Sequence, residues 1–180
     1  IFLILTFFGI VFSWANIKKY ELAGALLCSA GAIGVCLSGD FITLFIFWEL
    51  MAISSCLIIF SGGSIKSKQS GMRYINLHIL GGVILLIGII GLNNETGNIA
   101  LRVLQLENWY TWLILSGFLL NAGAPPFSAW VSDAYPEASP WGAVFLSAYT
   151  TKTAVFALWV VFPGTYILIP IGIYMIFYGI

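Results

Sequence analysis

The chain has 180 residues, of which 61% are hydrophobic and 8% are charged, and its mean hydropathy is +1.02. Such a composition excludes a soluble globular domain and indicates an integral membrane protein embedded in a lipid bilayer. Basic and acidic residues number seven each, so the chain has no surplus of positive charge with which to bind nucleic acid.

Seven apolar segments follow one another along the chain: 1–16, 21–37, 41–62, 72–92, 109–130, 142–162 and 165–180. Each is predicted to be a helix, because a backbone in lipid must satisfy its hydrogen bonds within the segment. The sequence begins without Met and ends inside an apolar run, so we expect it to be part of a longer polytopic subunit. The predicted divisions are a partial helix and loop (1–20), a five-helix bundle (21–162) and the start of a further span (163–180).

Basic residues near the segment ends are unequally distributed between the two sides of the predicted bundle. One side has a single such residue, Arg102, whereas the other has five: Lys18, Lys19, Lys66, Lys68 and Arg73. Because cytoplasmic loops carry an excess of Lys and Arg, loops 17–20 and 63–71 are predicted to face the cytoplasm.

Segment 41–62 contains a single acidic residue, Glu49, in an otherwise apolar stretch. At the helical rise per residue, Glu49 lies about 12 Å from the start of the segment and therefore deep in the hydrocarbon core. A charge at that depth costs about 2.5 to 3.5 kcal/mol in insertion, so such residues usually face a protein interior and mark an ion or proton path.

Lys152 is the second ionisable residue at this depth, since it lies about 15 Å along segment 142–162. Thr150, Thr151 and Thr153 surround it and make this part of the helix unusually polar. The alternatives are a structural ion pair or a lysine that extends to the membrane interface. Glu49 and Lys152 have opposite charges at similar depth and are natural partners, whose protonation would be coupled.

Segment 109–130 contains the stretch NAGAPP, which begins at Asn121 and includes Gly123, Pro125 and Pro126. Adjacent prolines remove two backbone donors and must break or kink the helix. Broken helices at the middle of a membrane often line a transport site, although a kink that serves only packing is the alternative. Asn121 precedes the break and can hydrogen-bond to water or to freed backbone groups.

Further titratable residues are His78, inside segment 72–92, and the pair Asp133 and Glu137, which follow the predicted break. Histidine titrates near neutral pH and can relay protons, but a histidine bonded to a neighbouring helix is equally consistent with the sequence. The two acids are expected either in an exposed turn or at the mouth of a proton pathway. No cofactor or metal is predicted, because the chain lacks a glycine-rich dinucleotide loop and a cysteine cluster.

Three stretches resemble the proton-translocating antiporter-like subunits of respiratory complex I and of multisubunit cation/proton antiporters. They are LSGDFITLFIFWELMAISS, HILGGVILLIGIIG and NAGAPPFSAWVSDAYPEASPWGAVFLSAYTTKTAVFALWV. The resemblance implies an all-α fold whose first five-helix half, with its broken helix, belongs to an inverted repeat. It also implies that Glu49 is the functional glutamate and Lys152 the central lysine of a proton relay.

The resemblance further implies a bacterial or archaeal cytoplasmic membrane, other membrane subunits as partners, and H⁺, with Na⁺ as an open possibility, as the transported ion. Redox chemistry, such as that of an NADH:quinone oxidoreductase, would take place elsewhere in the complex. One position departs from the family pattern: Asn121 stands where members commonly carry the lysine that pairs with the glutamate. Either Lys152 is then the partner of Glu49, or the subunit is structural and inactive in transport. A stand-alone solute transporter is the third alternative.

Overall fold

The computed structural model describes residues 1–178, and within this range it is entirely helical. The helices are α1 (Phe2–Ser13), α2 (Lys19–Leu37), α3 (Phe41–Phe60), α4 (Ile65–Thr96), α5 (Trp109–Ala122), α6 (Ala129–Ala134), α7 (Pro140–Val161) and α8 (Leu168–Tyr178). A 3₁₀ turn at Tyr135–Glu137 joins α6 to α7. Within this range α2, α3, α4 and α7 are long and apolar enough to cross a membrane. The predicted all-α membrane bundle is therefore confirmed.

Side-chain caps fix the beginnings of three of these helices. Asp40 accepts a hydrogen bond from Thr43 N at 2.7 Å and caps α3, as its place before the apolar run suggests. Ser64 caps α4 through Ser67 N, and Ser139 caps α7, whose first residue is Pro140. A proline is tolerated there because the first amide of a helix needs no partner within the helix.

Helix α4 is longer than the sequence suggests, and the predicted loops are correspondingly shorter. Residues 65–71, which we expected in loop 63–71, form the first turns of α4, and α2 already begins at Lys19 within the expected loop 17–20. The Ser64 cap starts α4 early, since lysine and glutamine are good helix formers and no proline interrupts the stretch. The last two residues of the expected division 163–180 lie outside the described residues.

Glycines allow close approach between two antiparallel helix pairs. On α2, a Cβ atom at Gly31 would lie 2.9 Å from Phe47 O of α3. On α4, a Cβ atom at Gly88 would lie 2.9 Å from both Ile114 N and Tyr110 O of α5. Because these contacts are to backbone atoms, the helices are as close as glycine alone permits, as is common in membrane bundles.

The predicted break in segment 109–130 is present between α5 and α6. Gly123 has φ of 75° and ends α5 in the left-handed region, where glycine is favoured, and Ala124 N donates to Leu119 O at 2.9 Å. The indole N–H of Trp130 in α6 donates to Leu120 O at 3.1 Å, and this carbonyl also accepts from Gly123 N at 3.2 Å, so α6 is bonded to the last turn of α5. Pro125 and Pro126 lie in the connecting stretch.

Candidate functional site

Glu49 lies on the face of α3 that packs against α4. Its side chain is half-buried, and a Cβ atom at Gly82 would collide with Glu49 Oε1, so the carboxyl group occupies the space that this glycine leaves open. Glu49 Oε1 is itself buried and has no hydrogen-bond partner among the described residues. The carboxyl group therefore meets α4 at a position where only glycine admits it.

Asn121 lies in the last turn of α5 and is 2% exposed. Its amide Nδ2 donates to Gly117 O at 3.3 Å and lies 3.3 Å from the position of a Cβ atom on Gly81 of α4. Its Oδ1 atom is buried without a hydrogen-bond partner in the part of the chain that the structure describes. The helix break thus places an amide with an unused oxygen against α4.

A single stretch of α4 brings three of the predicted site residues together. Glu49 contacts Gly82, Asn121 contacts the preceding residue Gly81, and His78 lies one turn earlier on the same face, since residues three and four apart are neighbours on a helix. The grouping of Glu49, Asn121 and His78 is referred to below as the α4 site. The sequence identifies these three residues as candidates, but it does not show that they meet on one stretch of α4.

His78 lies in an aromatic cluster on one side of the α4 site. The ring is 4% exposed, stacks on Tyr74 at a centroid distance of 3.9 Å, and meets the Trp130 ring edge-on at 4.7 Å. His78 Nδ1 lies 3.0 Å from Tyr74 O, where the Nδ1–H tautomer donates to that carbonyl. The imidazole is therefore inclined away from Gly82, toward the N-terminus of α4.

Lys152 lies on a different face of the bundle from the α4 site. Its side chain is exposed and lines an apolar groove of about 670 Å³ between α1, α2 and α7, together with Ile33, Leu37 and Trp159. No ion pair joins Lys152 to Glu49 among residues 1–178. The structure therefore does not bring together the two residues that the sequence suggests as partners.

Asp133 and Glu137 both lie at the end of the bundle where α4 begins. Arg73 donates to Asp133 through Nε at 2.8 Å and through Nη2 at 2.7 Å, which gives a two-point ion pair between α4 and α6. These hydrogen bonds hold the pKa of the Asp133 carboxyl below its usual range. Ser64, the residue just before α4, donates to the Glu137 carboxylate at 3.5 Å. Both acids therefore contact the N-terminal end of α4.

We expect the Arg73–Asp133 pair to contribute little to stability, because both side chains are well exposed and water screens their attraction. Asp133→Asn should lower the melting temperature of the purified complex by no more than about 2 °C. A carboxyl with a lowered pKa stabilises the fold above its ordinary pKa of about 3.9, and the effect disappears as the pH falls through the lowered value. The difference between native and variant should thus be constant from about pH 5 to 8. A difference that grows toward neutral pH would contradict this assignment.

Sequence reasoning missed the buried carboxyl of Glu21, which is 1% exposed in the first turn of α2. Ser139, the cap of α7, donates to Glu21 Oε1, and a Cβ atom at Gly142 would lie 2.7 Å from the same oxygen. An acid at this position complements the positive end of the α7 dipole. The serine-proline pair at the start of α7 is the one signal in the sequence, because it indicates a helix N-terminus. The sequence does not show that Glu21 contacts that N-terminus.

The fold and its broken helix define a polytopic membrane protein with ionisable side chains inside its spans. The family model described as NADH:quinone oxidoreductase/Mrp antiporter, TM matches residues 38–179. The chain belongs to this family.

Relatives and a solved structure agree with this assignment. The chain is 31% identical over 150 residues to NADH-quinone oxidoreductase subunit N of Deinococcus radiodurans, covering 77% of the chain and 29% of the relative. It is 27% identical over 168 residues to a Na⁺/H⁺ antiporter subunit of Alkalihalophilus pseudofirmus, covering 82% of the chain and 34% of the relative. A chain of the Mrp complex from Dietzia sp. DQ12-45-1b superposes with a TM-score of 0.82 at 28% identity, covering 93% of this chain and 35% of that one. The chain therefore spans about a third of the length of these proteins.

Proposed function

We propose that the chain is part of a proton-translocating membrane subunit in a multisubunit assembly of the complex I or cation/proton antiporter type. The assembly lies in the cytoplasmic membrane of a bacterium or archaeon, with the α1–α2 and α3–α4 loops on the cytoplasmic side. Other subunits drive the movement of H⁺, and redox chemistry, where it occurs, belongs to them. The named relatives, which include an oxidoreductase subunit and an antiporter subunit, support this proposal.

The observation that carries the proposal is the Glu49 carboxyl on α3, which lies against Gly82 next to a broken helix and whose Oε1 has no hydrogen-bond partner within residues 1–178. A half-buried carboxyl inside a membrane span that is not locked in an ion pair remains free to gain and lose a proton. His78 lies between this carboxyl and the α3–α4 end of the bundle, and it extends the path toward Asp133 and Glu137. Lys152 lines a separate groove and is the central lysine that the resemblance implies for the relay.

A structural subunit that has lost transport is the second candidate, and Asn121 favours it. The resemblance implies a lysine at this position, and an amide cannot carry a proton charge in its place. The separation of Glu49 from Lys152 supports the same candidate, since Glu49 forms no ion pair within the described range that could replace a pair with the missing lysine.

Lys152 variants distinguish transport from a structural role. In vesicles that contain the complete complex, Lys152→Met should lower the rate of proton uptake by at least about tenfold, because the relay loses its cationic step. Lys152→Arg, which keeps the charge but not a transferable proton, should be similarly slow. A structural subunit predicts normal uptake in both variants. Lys66→Met, at the exposed start of α4, is the matched control and should transport normally.

A further inference from the structure

Exposed lysines flank the end of α3 from the helix before it and the helix after it. Lys18 Nζ donates to the backbone oxygen of Ser61, the residue after α3, at 3.3 Å. Lys19 begins α2, and both α2 and α4 pack against α3. Lys18 and Lys19 are exposed, as are Lys66 and Lys68 at the start of α4.

Lys66 and Lys68 lie on different sides of α4. Lys68 is one turn before Gly71, where an added Cβ atom would collide with the Phe60 ring at the end of α3. Lys66 is one turn before Ser70, which donates to a backbone carbonyl of α6 at 2.7 Å. Lys68 is therefore on the α3 side and Lys66 on the α6 side. The lysines on the α3 side are called the lysine cluster below: Lys18, Lys19 and Lys68.

No carboxylate within residues 1–178 forms an ion pair with the lysine cluster. The acids at this end of the bundle are bonded to other side chains: Glu21 to Ser139, Asp133 to Arg73 and Glu137 to Ser64. The cluster thus presents positive charge that the described part of the chain does not pair, and it fits an anion from outside the chain.

An exposed apolar strip on α3 leads up to the lysine cluster. Ile46, Ile53 and Leu57 are 58%, 55% and 45% exposed, and their spacing of seven and four residues places them on one face of the helix. Ser61, whose carbonyl accepts from Lys18, follows Leu57 by one further turn. The strip and the cluster therefore form one continuous surface, apolar along its length and cationic at one end.

Aromatic residues place the lysine cluster at the level of lipid headgroups. Trp14 and Tyr20 are 78% and 57% exposed at the same end of the bundle, and the Tyr20 ring lies 5.8 Å from Lys18 Nζ. Tryptophan and tyrosine are enriched where the membrane meets water, because their rings are apolar and their N–H or O–H groups are polar. The ammonium groups are thus at the depth of phosphates, and the α3 strip is at the depth of acyl chains.

The opposite end of the bundle has no comparable surface among the described residues. Its basic residue, Arg102, donates to Asn98 O and to Thr96 Oγ1, both at 3.1 Å, and so is bonded to its own loop. The positive surface therefore faces one leaflet of the membrane.

We propose that the lysine cluster binds the phosphate group of an anionic phospholipid whose acyl chain lies along the α3 strip. A zwitterionic lipid fits the strip equally well, but its own ammonium group is repelled by the lysines. A soluble acidic protein would pair with the lysines and leave the strip unused. The inference goes beyond the proposed function, because it holds for a transporting and for a structural subunit alike.

Photoreactive lipids test this surface in vesicles of phosphatidylcholine that contain the complete complex. Phosphatidylglycerol and phosphatidylcholine carry the same diazirine-labelled acyl chain, and cross-links are mapped by mass spectrometry. Each basic residue near an anionic lipid raises affinity about fivefold, so phosphatidylglycerol should label peptides 14–27 and 46–72 at least about fivefold more than phosphatidylcholine. Peptide 97–108, at the opposite end, should show no preference.

Variants assign the preference to the lysine cluster. The triple change Lys18→Gln, Lys19→Gln and Lys68→Gln should abolish the preference, and Lys68→Gln alone should reduce it about fivefold. Lys66→Gln is the matched control, because it removes the same charge from the other side of α4 and should retain the preference. If the triple variant fails to assemble, the comparison of Lys68→Gln with Lys66→Gln decides.

Three results would overturn the proposal. Equal labelling by the two lipids in the native complex would show that the lysines do not select an anionic headgroup. Absence of labelling by either lipid would show that another subunit covers the surface. Equal losses in Lys68→Gln and Lys66→Gln would mean that general charge, and not the cluster, attracts the lipid. Proton uptake in the Lys152 variants tests the proposed function separately, so the two proposals can fail independently.

Discussion

Replacing Glu49 with glutamine is expected to abolish proton translocation while the complex still assembles. Glutamine has the size of glutamate and fits the space against Gly82, but it cannot exchange a proton. A residue that transfers protons directly contributes on the order of a hundredfold to a rate, so uptake should fall to near the background. The measurement is the quenching of a pH-sensitive dye in vesicles that contain the complete complex.

Two further variants make the Glu49 result specific. Glu49→Asp keeps an acid but withdraws it from Gly82, and it should retain part of the activity. Glu107→Gln, at an exposed position before α5, removes an acid of the same chain and should have no effect. Normal uptake in Glu49→Gln would show that the carboxyl does not take part in transport and would favour the structural role.

Gly88→Ala is expected to have the largest effect on stability. The added Cβ atom would lie 2.9 Å from two backbone atoms of α5, Ile114 N and Tyr110 O, which cannot move without separating the helices. Overpacking of this kind costs about 1 to 3 kcal/mol. The subunit should therefore lose about 5 °C in melting temperature, measured as the soluble fraction of a fluorescently tagged subunit after heating.

Gly172→Ala supplies the matched control for Gly88→Ala, because it is the same change inside a helix, α8, with no atom within 4 Å of the added Cβ. Its melting temperature should stay close to that of the native subunit. Equal losses in the two variants would mean that a general property of alanine at these positions, rather than the α4–α5 contact, lowers stability.

The sequence predicts the helices well because lipid leaves the backbone few alternatives. The apolar segments, the Asp40 cap and the break before Pro125 all follow from local rules that operate within a few residues. The prediction for the first turns of α4 is wrong because lysine, glutamine and serine near a membrane surface suit a helix and a loop equally well. The Ser64 cap decides between them.

The α4 site is harder to predict than the helices that form it. In a soluble helix the polar residues mark the exposed face, but α3 and α7 are apolar on nearly all sides, so the sequence does not show which way Glu49 or Lys152 points. Depth along each helix suggests that the two residues are partners. Their directions, which depend on the packing of Gly82 against α3 and of α1 against α7, place them apart.

Trp130 connects the two sides of the broken helix. Its indole spans the gap by bonding Leu120 O, and its ring is held between His78 and Tyr135 at centroid distances of 4.7 and 5.9 Å. Because the indole joins α6 to the residue beside Asn121, and Arg73 joins the other end of α6 to α4, the two sides of the interruption are held together by side chains as well as by the connecting backbone.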